Sequence, residues 1–113
     1  MNHRQERVND SVAHVLGEII REVKDPRVSS AFVTVNAARV TPDLKFAKVY
    51  FGIIVGDPDE VKKGLESAAG FLRSGLAKRL NLRQTPELTF IHDRSAEHGA
   101  HIAKVLKDLN ENG

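Results

Sequence analysis

Two groups of cations are the residues of this chain best suited to chemistry, and that chemistry is the neutralisation of phosphate. Lys62, Lys63, Arg73, Lys78, Arg79 and Arg83 form one group, and Arg4, Arg7, Lys24 and Arg27 the other. Such side chains hold phosphate oxygens with an affinity that falls as salt rises. The opposing reading is a set of ordinary solvated helix faces. On an ideal helical wheel Arg73, Lys78, Arg79 and Arg83 do not share one side, so some of them serve only solubility. Arg73 is the first candidate for contact because it lies close to Gly70. A second constellation, His92-Asp93 followed by Glu97, His98 and His101, has an i, i+3 histidine pair of the kind that can hold a metal with a carboxylate. Surface histidines at a helix start, with Asp93 serving a turn, explain the same residues more simply, and no metal or cofactor is assigned. There is no Gly-rich phosphate loop, nucleophile elbow or H-E-x-x-H, so nothing supports a hydrolase or nucleotidase, and no catalytic residue is expected.

The elements that must position these cations follow from periodicity. Residues 57–83 carry Leu65, Ala69, Leu72, Leu76 and Leu80 at three- or four-residue steps, which predicts two helices in series joined at Ala68-Ala69-Gly70. Asp57 before Pro58, with Glu60 close behind, is a helix start. Gly70 inside the pattern costs about 1 kcal/mol relative to Ala, which predicts a kink or a close approach, with helix packing the favoured cause. Gln5 to Lys24 is a helix with Val8, Val12, Val15, Leu16, Ile19, Ile20 and Val23 on one face. Asp25-Pro26 ends it and leaves Arg27 on the exit turn.

Ala31 to Val40 and Phe46 to Val55 are strands, joined through the Thr41-Pro42-Asp43-Leu44 turn into a hairpin. On the second strand Ala47, Val49, Phe51, Ile53 and Val55 make one face, and Phe46, Lys48, Tyr50 and Gly52 the other. Glu87 to His92 is a short third strand, Ser95 caps a last helix over Ala96 to Leu109, and residues 110–113 are expected to fray. The order is α-β-β-α-kink-α-β-α, an α+β fold with a three-stranded mixed sheet packed by helices. Phe32, Phe51 and Phe90 belong to its core, while Phe46 and Tyr50 are the candidates for an exposed strand face. So few aromatics argue against sequence-specific reading of nucleic-acid bases.

A chain of 113 residues with 41% hydrophobic and 28% charged residues is expected to form one domain spanning 1–113. Net charge is only +2, so the case for a polyanionic partner rests on where the bases gather. Zero cysteines exclude disulfides and thiol chemistry. The opening MNHRQERVND lacks the apolar middle of a secretion signal, and a cytoplasmic location is expected.

Several segments together resemble the ribosome-binding factor A family. They are Lys24-Asp25-Pro26-Arg27; Thr41-Pro42-Asp43-Leu44 leading to Ala47-Lys48-Val49-Tyr50; Ala68-Ala69-Gly70-Phe71-Leu72-Arg73-Ser74; and Leu82-Arg83-Gln84-Thr85-Pro86-Glu87-Leu88-Thr89-Phe90 followed by Asp93. The resemblance covers nearly the whole length. It implies a KH-like fold of the second topological type, in which an Ala-x-Gly kink, here Ala68-Ala69-Gly70, replaces the GXXG loop of KH domains. It also implies a non-enzymatic bacterial assembly factor that binds the immature small (30S) ribosomal subunit and its 16S rRNA. Such a factor supports late maturation and 5′-end processing of that RNA and matters for growth in the cold. It would be monomeric when free, with no membrane or small-molecule partner. The alternative is a protein-binding module whose basic charge is incidental.

Overall fold

The computed structural model describes residues 3–94. It runs α1 (His3–Ile19), a 3-10 turn (Ile20–Glu22), α2 (Pro26–Ser29), β1 (Phe32–Val40), β2 (Phe46–Val55), α3 (Pro58–Ser67), α4 (Ala69–Leu80) and β3 (Glu87–His92). The expected last helix, with Glu97, His98 and His101, and the expected fraying of 110–113 lie outside the described residues.

The sheet has the order β1-β2-β3, with β1 antiparallel and β3 parallel to β2. The hairpin and mixed sheet are therefore as expected. Burial alternates along the strands: Ala38, Val40, Ala47, Val49, Phe51 and Phe90 are buried, while Arg39, Phe46, Lys48 and Thr89 are exposed. Among the described residues, one face is thus covered by helices and the other is not. The covered face meets Val12, Leu16 and Ile19 of α1, Val61 and Leu65 of α3, and Leu72 and Leu76 of α4, all at or near zero exposure. Burying each such side chain stabilises the fold by about 1.5–3 kcal/mol relative to leaving it in water.

Polar side chains fasten α1 to the free edge of β1. Asn9 Oδ1 accepts from the Val40 N–H at 2.9 Å, and Gln5 Nε2 donates to the Val40 carbonyl. Between α4 and β3, Asn81 takes the left-handed conformation that ends the helix.

Several expectations change. The first helix closes in a 3-10 turn before Val23, short of Lys24. Asp25-Pro26 starts a new helical turn as well as stopping the old one. Asp25 accepts from the Arg27 N–H at 3.0 Å, and Pro26 fills the first helical position, where no N–H is needed. Phe32 is 55% exposed and not core, because it lies at the end of β1 opposite Val55, beyond the cover of the helices. Val55 is likewise 61% exposed, so the inward face of β2 stops being buried after Phe51, with Ile53 half-buried.

The glycine logic also moves. A Cβ on Gly70 would meet nothing within 4 Å, so helix packing does not explain that residue. The close approaches belong to its neighbours. A Cβ on Gly64 would stand 2.6 Å from Val28 Cγ2, and one on Gly75 2.8 Å from Ile19 Cδ1. Gly64 lets α3 lie on α2, and Gly75 lets α4 lie on α1.

Candidate nucleic-acid interface

The break between α3 and α4 falls at Ala68, whose backbone (φ −92, ψ 6) leaves the helical region while its N–H still donates to the Gly64 and Leu65 carbonyls. The expected Ala68-Ala69-Gly70 junction is therefore where the helices part. No side chain caps α4 and its first turn carries no acid; the carbonyl end of α3 directly precedes it, since Ala68 closes one helix and opens the next.

Around this break the fold assembles residues distant in sequence. Glu22 from the 3-10 turn and Val23, Lys24 and Asp25 from the link to α2, with Ser67, Ala68 and Phe71 from the break, line a groove of about 370 Å³. Phe71 sits one step off the buried Leu72–Leu76 stripe and is 50% exposed. Arg27 fixes the groove's rim. Its Nε and Nη2 donate to the two Asp25 carboxylate oxygens at 3.0 and 2.7 Å, and Nη2 also donates to Ser67 Oγ at 3.1 Å. The guanidinium and the Arg27 N–H lower the Asp25 pKa to about 2, and the same pairing raises that of Arg27. Lys24 is exposed beside this bridge.

The other candidates divide. Arg73 is exposed but engaged: its Nε donates to the Pro86 carbonyl at 3.0 Å and its Nη2 to the Thr85 carbonyl at 3.1 Å, tying α4 to the approach of β3. Arg79 bridges α4 to α1 through Glu18 at 3.1 Å and to the 3-10 turn through Glu22 at 3.4 Å. Lys63 lies 3.7 Å from Glu60 on its own helix. Arg7, Lys62, Lys78 and Arg83 are exposed, and among the described residues no hydrogen bond or ion pair engages their side chains. Arg4 is exposed on the opening turn of α1. The structure thus brings Lys24 and Arg27 to the helix break but does not gather all the cations on one surface.

Sequence reasoning had not singled out Phe71, Ser67 or Gly64. The off-stripe position of Phe71 was legible in the leucine spacing. The Arg27–Ser67 bond joins residues 40 apart in the chain and left no local signal. Among the described residues no group of three or more histidines and acids gathers as a metal site, and no helix is long and apolar enough to cross a membrane.

The family model for ribosome-binding factor A matches residues 4–106. The ribosome-binding factor A of Delftia acidovorans is 45% identical over 113 residues, covering 98% of this chain and 90% of that protein. That of Albidiferax ferrireducens is 48% identical over 105 residues, covering 92% and 84%. Among solved structures, the crystal structure of ribosome-binding factor A from Thermus thermophilus superposes with a TM-score of 0.71 at 26% identity, covering 78% of this chain and 93% of that one. A Thermus thermophilus homology model fitted into a cryo-electron microscopy map of a 30S complex gives 0.64 at 29% identity, covering 76% and 91%. The KH-like α+β arrangement implied by the sequence resemblance holds.

Proposed function

This chain belongs to the ribosome-binding factor A family, and we propose that it is a non-catalytic assembly factor that docks on the immature small ribosomal subunit through contacts to 16S rRNA. The observation that carries this reading is the helix break at Ala68, with an uncapped α4 start, exposed Lys24 and the Arg27 bridge collected around one groove. Helix starts and nearby cations favour phosphate oxygens. The relative fitted into a 30S complex supports the same partner.

Mechanistically, the factor binds one conformation of the rRNA better than its competitors and so raises the population of that conformation. Support of late maturation, of 5′-end processing and of growth in the cold follows as the consequence of holding that state. Residues 1–113 act as one cytoplasmic domain in this reading.

A second reading, docking to a protein partner, draws on the exposed Phe32 and Val55 paired at one end of the hairpin. Co-sedimentation with small subunits at low and high salt separates the two. Salt-sensitive binding abolished by Lys24→Glu/Lys62→Glu, with circular dichroism unchanged, supports the RNA reading. Salt-insensitive binding lost in Phe32→Ser/Val55→Ser supports the protein reading.

A further inference from the structure

The open face of the sheet carries a feature that fold stability disfavours. The β1–β2 register sets Arg39 directly opposite Lys48. Like charges directly opposite across strands destabilise a sheet, and both side chains are exposed. Among the described residues neither makes a hydrogen bond or ion pair. Two acids share this face: Glu87 stands beside Phe46 in the β2–β3 register, and the Asp93 carboxylate accepts from Asn36 Nδ2 at 3.0 Å. Among the described residues neither forms an ion pair with Arg39 or Lys48. The next residue along this face of β2, Tyr50, lies between Ala37 and Ile91 and is half-buried. Phe46 at the other end is 54% exposed.

Along one strand this gives ring, cation, ring at alternate positions, about 6.7 Å apart on a pleated backbone. Sheet faces with aromatics at such positions stack successive unpaired bases, while adjacent cations hold the connecting phosphates. Two adjacent cations with no ion pair of their own select a polyanion, and flanking rings select one whose bases are exposed. We propose that this open face, centred on Arg39, Lys48 and Tyr50, binds a single-stranded RNA segment. It is a surface distinct from the helix break, so the chain has two RNA-contacting sides with the sheet between them.

Fluorescence anisotropy with a pyrimidine-rich single-stranded RNA of roughly ten nucleotides, and with an RNA duplex of equal length, tests this without ribosomal subunits. Arg39→Ala/Lys48→Ala is expected to weaken single-strand binding at least tenfold and to reduce the salt slope by about 1.4, the value for two phosphate contacts on a single strand. Tyr50→Leu is expected to weaken it about fivefold or more with the slope unchanged. The duplex is expected to bind more weakly and to ignore Tyr50→Leu. Unchanged affinity in both variants, or no measurable single-strand binding by the native chain, overturns the inference. Native single-strand binding matched by a polyglutamate peptide of equal charge overturns it in favour of an acidic protein partner. Subunit sedimentation of the same variants is read separately. Docking abolished only by Lys24→Glu/Lys62→Glu leaves the docking reading standing whatever the oligonucleotide result.

Discussion

Gly64 and Val28 approach so closely that a Cβ on Gly64 would stand 2.6 Å from Val28 Cγ2, with Arg27 Cβ at 3.1 Å and the Val28 nitrogen at 3.5 Å. That contact sets how α2 and α3 meet, and hence where Arg27 finds Ser67. Gly64→Ala is expected to cost about 1–3 kcal/mol through overpacking, offset by about 1 kcal/mol of helix propensity. Urea unfolding is expected to show a lower midpoint with an unchanged slope. A midpoint raised above the native value, as helix propensity alone would give, would refute the close contact.

Gly70→Ala is expected to do the opposite. With nothing within 4 Å of the added methyl, the substitution gains up to about 1 kcal/mol of helix stability. If subunit binding is retained at the same time, Gly70 is not needed for close approach of a phosphate. If stability rises while binding falls, it is.

The Asp25–Arg27 bridge predicts an acid-limb signature. Asp25 has a folded pKa of about 2 against an ordinary 3.8. A lowered carboxyl pKa adds stability that is complete above the unfolded value and is lost as pH falls from about 4 through about 2. Asp43, lowered by the Thr41 hydroxyl and the Lys45 N–H, acts in the same direction. Asp25→Asn should flatten the decline of thermal midpoint over this window. Parallel acid limbs for native and variant would rule out a stabilising bridge.

Arg73 and Lys78 contrast a cation that the fold engages with one that is exposed and has no ion pair among the described residues. Arg73→Ala frees the Thr85 and Pro86 carbonyls and is expected to lower stability by about 1 kcal/mol. Arg73→Lys should not restore it, because an ammonium lacks the planar fork that spans two carbonyls. Lys78→Ala should leave the unfolding midpoint in place. Identical effects of the three substitutions would show that the Arg73 bonds do not hold β3.

Arg79 offers a milder case. Its bridges to Glu18 and Glu22 are largely solvated, so Arg79→Ala is expected to cost less than about 1 kcal/mol, and less still in high salt. A larger, salt-independent loss would mean that the α1–α4 contact depends on this side chain beyond charge.

Periodicity revealed most of the fold. The leucine steps from Leu65 to Leu80 gave both helices and their junction, and alternation gave each strand to within a residue. Single-element reasoning failed where two elements meet. Phe32 looks like core by type, and only the extent of helix cover decides that it is exposed. Gly70 broke the helical pattern, yet the contacts that require glycine fall at Gly64 and Gly75, where the pattern shows nothing unusual. The candidate site was legible as a list of cations and illegible as a surface. Asp25, Glu18, Glu22 and two backbone carbonyls claim Arg27, Arg79 and Arg73, and those pairings are set by tertiary packing.

The two amides of α1 at Val40 bear on self-association. A strand at the rim of a sheet offers its N–H and C=O groups to any other chain able to pair with them. At Val40 both groups are already occupied, by Asn9 and Gln5. A second copy adding a strand beside this end of β1 would first have to expel both side chains. A helix thus acts as the sheet's stop, and growth into a shared ribbon between copies is blocked there by two ordinary amides.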